Sequence, residues 1–149
     1  MKNNKIVNDF VLDVVSSEKV FALGLDDGLA MCLSNYFLND DDEFIESFCF
    51  WSSFELAKQS AVGDWCDYKV QEIELSVFLE DWCMGMSNEN YAAGINFGID
   101  KIETEADPLE LLLLFLKELE KQSKTIELKK FKNLKEFIDS CQKAMEQES

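Results

Sequence analysis

The sequence predicts an α+β fold, a mostly antiparallel sheet with flanking helices and a C-terminal helical pair. Three observations predict it. Short apolar runs bounded by Gly, Asp and Asn cluster in the first hundred residues, helical periodicity marks both ends of the chain, and the only proline stands at a helix start. With 149 residues, 47% of them hydrophobic, the chain can bury one sizeable core. A single domain over 1–149 is expected, with an acidic α+β core over 1–104 and C-terminal helices over 105–149 packed on it.

Residues 4–16 place Ile6, Val7, Phe10, Val11 and Val14 on one helical face, opposite Asn4, Asp9 and Asp13. KVFALGL from Lys19 is a short strand, and Asp26-Asp27-Gly28 supplies turn chemistry before LAMCLSNY, which predicts a hairpin. Asp40, Asp41, Asp42 and Glu43 are four consecutive acids, whose mutual repulsion requires an exposed loop. FIESFCFW from Phe44 returns the chain as a third strand. Ser52 with Glu55 has the spacing of a capping box, and Trp51 with Leu56 that of a hydrophobic staple, so a helix is expected from Ser52 to about Ala61.

Beyond Gly63, the segment CDYKVQEIEL has the alternation of a strand of mixed burial. Ser76 is expected to cap a short helix with Phe78, Leu79, Trp82, Cys83 and Met86 on one face. In NYAAGINFG the glycines suggest close approach of another backbone to a strand. Asp107-Pro108-Leu109-Glu110 gives an N-cap, an N1 proline and an N3 acid for an apolar helix to about Gln122. Ile126, Leu128, Phe131, Leu134, Phe137, Ile138 and Cys141 then predict a final helix packed on it.

Two absences narrow the chemistry. No histidine occurs, so imidazole bases, His-activated nucleophiles and mixed Cys/His zinc sites are excluded. No arginine occurs either, which removes the bidentate fork for phosphate and carboxylate. Cys32, Cys49, Cys66 and Cys83 recur every seventeen residues, and Asp64-Trp65-Cys66 returns as Asp81-Trp82-Cys83. Zinc knuckles bring their thiolates two to four residues apart. The elements around the four cysteines differ, so they are expected to be buried thiols and Trp65 and Trp82 to share one core. No phosphate loop or calcium-loop order is present, and no cofactor or metal is expected.

The formal net charge is −16, and it is uneven: residues 1–100 hold 19 acids against 5 lysines, and residues 101–149 hold 11 against 9. The longest apolar run, Leu111–Leu116, is far too short to span a membrane. Acids within the N-terminal apolar stretch do not suit a secretion signal, so a cytoplasmic protein is expected.

KVFALGLDDGLAM, FWSSFELAKQSAVGDWCDYKVQEIELSVFLEDW and DPLEL together resemble the small bacterial proteins grouped as domain of unknown function 2750, over about residues 6–120. The resemblance rests on Trp51, Trp65, Tyr68, Phe78 and Trp82. Ser52 stands where that family often has proline, and residues 124–149 extend beyond its usual end. The resemblance implies a fold and no established activity.

The charge and the lack of a catalytic kit favour an interaction protein, not an enzyme. The expectation is an acidic immunity protein that neutralises a basic antibacterial toxin, a nuclease, by covering its active or nucleic-acid-binding surface. Asp26, Asp27, Asp40, Asp41, Asp42 and Glu43 are the expected contacts, followed by Glu80 and Asp81. Nucleic acid and membrane are not expected partners, because the charge repels both. The alternative is a housekeeping or regulatory interaction domain with no toxin partner. An enzyme working with carboxylates alone would need a facing pair in one apolar cleft, and nothing in the sequence singles one out.

Overall fold

The computed structural model describes residues 4–26, 28–98 and 104–148, apart from the side chains of residues 4 and 148. Helix α1 (Asn4–Ser17) buries Val7, Phe10, Val11 and Val14 on the face that the sequence assigns to the core, and Val15 beside them. Glu18 ends it in a left-handed conformation, its N–H donating to Val14 O at 2.7 Å. The chain then enters two sheets. The first is antiparallel, in the order β2 (Gly28–Leu29), β1 (Lys19–Leu25), β5 (Lys69–Glu74). The second is mixed, in the order β3 (Met31–Leu38), β4 (Phe44–Phe50), β6 (Ala92–Ile95), β7 (Thr104–Ala106), with β4 and β6 parallel.

The expected hairpin is therefore two residues long on its return side. β1 finds its full-length partner in β5, from Lys19 opposite Glu74 to Gly24 opposite Lys69. Buried Ala30 is the pivot between the sheets: its N–H donates to Leu23 O at 2.8 Å and its carbonyl accepts from Cys49 N at 3.3 Å. β3 is thereby carried away from β1 to pair with β4. A Cβ at Gly24 would lie 2.8 Å from Cγ of Gln71, so a larger residue there would force the Gln71 side chain to shift. Gly94 pairs with Cys49 on one side and Glu105 on the other, and a Cβ there would lie 3.0 Å from the Phe97 ring and 3.1 Å from Cys49 Sγ.

Helix α2 (Phe54–Gln59) begins one residue later than the capping box suggested. Ser53 is its cap and accepts from Leu56 N, whereas Ser52 is buried and engages Asn96. The Ser52 N–H donates to Asn96 Oδ1 at 2.8 Å, a bond that a proline at this position could not make. A 3₁₀ turn (Gly63–Trp65) leads to β5.

Residues 75–89 form one helical rod: α3 (Leu75–Val77), a π-helical segment (Phe78–Cys83) and α4 (Met84–Glu89). Ser76 does not cap it. The N-cap position is Glu74, which makes no side-chain cap bond. Asp107 caps α5 (Pro108–Lys121) as predicted, accepting from Glu110 N at 3.0 Å. The predicted final helix starts only at Leu134, as α6 (Leu134–Glu148). Residues 125–133 are instead a non-helical strap that lays Ile126, Leu128 and Phe131 on the core, with Phe131 stacked 4.2 Å from Phe137.

The main core joins α1, α5, α6, the rod and the second sheet. Phe10, Phe78 and Phe115 meet edge to face at 5.8–6.5 Å, and Phe50 continues the series at 4.8 Å from Phe78. A smaller cluster gathers Leu23, Ala30, Cys49, Trp51, Ala57 and Phe97 between the sheets. Trp65 borders this second cluster and Trp82 the first, so the two tryptophans do not share one core as expected. No helix of the described residues is long and apolar enough to cross a membrane.

Candidate functional site: an acid-rimmed aromatic groove

The predicted contact residues separate into distinct settings. Asp40, Asp41, Asp42 and Glu43 are exposed at the tip of the β3–β4 hairpin. Asn39 organises that tip: its Oδ1 accepts from the N–H groups of Asp41 and Glu43, and Asp42 takes a left-handed conformation. Asp26, also left-handed and exposed, stands at the β1–β2 turn, while Asp27 lies outside the described residues.

Glu80 is a correction in physical terms. It is 4% exposed, and its carboxylate accepts from the backbone N–H groups of Lys129 and Lys130. A buried carboxylate holding two donors has no surface left for a partner. It explains instead why residues 125–133 are not helical, since those N–H groups are drawn to Glu80 and away from the strap's own carbonyls. Asp81, next to it, is exposed and pairs with Lys130 Nζ at 2.9 Å.

A groove of two lobes shares Phe48 and Trp82: the rod, β4 and Tyr91 line the first, about 390 Å³, and the first sheet lines most of the second, about 540 Å³. Phe48 projects from β4 and is met edge to face by Trp82, at 5.5 Å and 73°, and by Tyr91, at 5.0 Å and 63°. Trp82 also reaches Phe50, at 6.0 Å, and so connects the groove bed to the main core. The π-helical segment determines that position. Its wider turn departs from the α-helical spacing in which Trp82, Cys83 and Met86 were expected to share one face. Cys83 and Met86 go fully into the core while Trp82 stays half-buried.

Gly85 lines the lobe beside Tyr91, and a Cβ there would enter open space, with nothing within 4 Å. The rim is acidic. Asp81 and Glu89 border the first lobe, Asp26 and Glu72 the second, and no lysine is among the residues lining either. Glu72 pairs with Lys19 at 3.3 Å, and among the described residues Asp26 and Glu89 have no lysine at ion-pair distance. Glu74, at 3.2 Å, and then Glu72 hold the Lys19 pKa above its usual value.

The groove thus brings together Asp26 and Asp81 from the expected set, and adds Phe48, Glu72, Trp82, Glu89 and Tyr91. The hairpin acids do not line it. Leu38 and Ile45, next to the turn that carries them, border a further hollow that shares Tyr91. The extra residues left one trace in the sequence, the glycine of Trp82-Cys83-Met84-Gly85, an unfavourable helix residue kept beside an exposed face.

The thiols differ in setting. Cys49, Cys83 and Cys141 are buried, Cys32 is half-buried and Cys66 is exposed, against the expectation of burial. Cys32 and Cys49 are in sulfur contact at 3.8 Å. Burial and then the neighbouring Cys141 push the Cys83 thiol well up, and burial pushes Cys141 to about 11. Among the described residues no group of three or more His, Cys, Asp or Glu could hold a metal ion.

Fold and site define a small acidic α+β domain with an aromatic groove beside its parallel strand pair. The chain belongs to the family described as a protein of unknown function (DUF2750), whose profile matches residues 7–114. The match ends within α5, so the strap and α6 lie beyond it. No curated protein and no solved structure matches the chain.

Proposed function

We propose that this protein is an acidic interaction domain that binds a basic protein partner across the groove, and that the partner is an antibacterial toxin, a nuclease, which it neutralises. The observation that carries the reading is an apolar aromatic bed with Asp26, Glu72, Asp81 and Glu89 around it and no lysine lining it. Aromatic residues in a concave surface are the usual anchors of protein interfaces, and the acids choose the sign of the partner. A net charge of −16 adds a long-range field that speeds encounter with a basic surface. Carboxylates would then occupy the places of phosphates on the toxin, which closes its nucleic-acid site.

The test is the association rate with the basic product of the neighbouring reading frame, measured against ionic strength. The reading expects the rate to fall by about tenfold or more between low and physiological salt. A flat salt response, or no binding, would overturn it.

A further inference from the structure

We infer that the lobe bounded by Phe48, Trp82, Tyr91, Asp81 and Glu89 is a receptor for a single lysine or arginine side chain presented by a basic protein segment. This deepens the reading above and rests on it for the identity of the partner, but not for the chemistry of the pocket. Two features of the lobe fit such a side chain. Its bed is aromatic: Phe48, Trp82 and Tyr91 all line it and all are only half-buried, so aromatic surface is accessible to an aliphatic stem and to a cation. Its rim carries Asp81 and Glu89, which can meet the charged head at the end of that stem.

The chain itself places one ammonium at this rim. Lys130, arriving on the strap, sits 2.9 Å from Asp81 Oδ1 and 3.5 Å from the Glu80 carbonyl. The pair is more than half exposed, so it is weak and open to exchange. A neutral apolar side chain would find the same bed but leave Glu89 without a cation and Asp81 with Lys130 alone. An acidic one would be repelled. Charge complementarity therefore selects a cation, and the aromatic floor selects one carried on a long stem.

The experiment is a titration of the full chain, labelled at its tryptophan indoles for NMR, with capped arginine and lysine methylamides. Capped citrulline and norleucine methylamides are the uncharged controls, and Trp82→Phe assigns the Trp82 signal. The expected result is a saturable shift of the Trp82 indole with the cationic probes alone, while the Trp51 and Trp65 signals stay in place. Asp81→Asn combined with Glu89→Gln should weaken the interaction by about fivefold, the loss expected for two exposed ion pairs. Lys130→Gln should strengthen it about twofold by removing the competing ammonium.

An unmoved Trp82 indole, an equal response to the uncharged probes, or unchanged affinity in the carboxylate variant would overturn the inference. Failure of the broader reading looks different. Cationic probes would still bind at Trp82 while no basic protein partner associated. Conversely, a basic partner whose affinity is unaffected by the carboxylate variant would sustain the broader reading and overturn this one.

Discussion

Asp64-Trp65-Cys66 and Asp81-Trp82-Cys83 are the same tripeptide in two regions that place its cysteine in opposite ways and its tryptophan against different clusters. In the first, a 3₁₀ turn sets Trp65 edge to face against Trp51 at 6.1 Å and leaves Cys66 exposed. In the second, the π-helical segment sends Cys83 fully into the core, holds Trp82 at the groove and turns Asp81 to the surface beside Lys130. The difference teaches that the role of a residue here comes from the element that carries it. One triplet closes a minor cluster, and the other joins the main core to the candidate binding surface.

The largest expected effect that sharpens this contrast is at neither triplet, but at the tryptophan beneath the first. Trp51 is fully buried, and its Nε1 donates to Phe97 O at 3.0 Å. Trp51→Ala should cost about 3–5 kcal/mol in chemical denaturation. Trp82→Ala should cost only about 2 kcal/mol, since the ring is half-buried and part of its area already faces the groove. Equal losses would place the Trp82 ring wholly within the core and remove the groove bed.

The sequence made much of this architecture legible, for reasons that are local. The face of α1, the Asp107-Pro108 start of α5 and the exposed hairpin acids follow from periodicity, capping and repulsion between like charges. What it did not show depends on long-range partners. The strap departs from its helical pattern because Glu80, 49 residues earlier, takes the Lys129 N–H. Ser53 displaces Ser52 as the α2 cap because Ser52 is bonded to Asn96, 44 residues away. The groove was illegible for the same reason. Phe48 lies on β4 and Tyr91 just before β6, and the π-helical offset brings Trp82 to them.

A smaller effect separates the thiols of the two triplets. Cys66 should react with a thiol reagent at the rate of an open cysteine, while Cys83 reacts only on unfolding. The same burial gives an alkaline signature. Burial raises the folded pKa of Cys141 from 9.0 to about 11, so the stability gained by keeping it protonated is complete below pH 9 and lost as pH rises through about 11. Denaturation between pH 8 and 11 should show this fall, and Cys141→Ala should reduce it.

The most direct measurement of the central claim is the affinity of the proposed basic partner for Gly85→Leu. This substitution leaves the net charge at −16, and its Cβ enters open space, so the fold is kept while the lobe is filled. The account predicts binding weakened by about tenfold or more, chiefly through faster dissociation. Unchanged affinity in a folded Gly85→Leu protein would contradict it, and would leave the acids acting through charge alone.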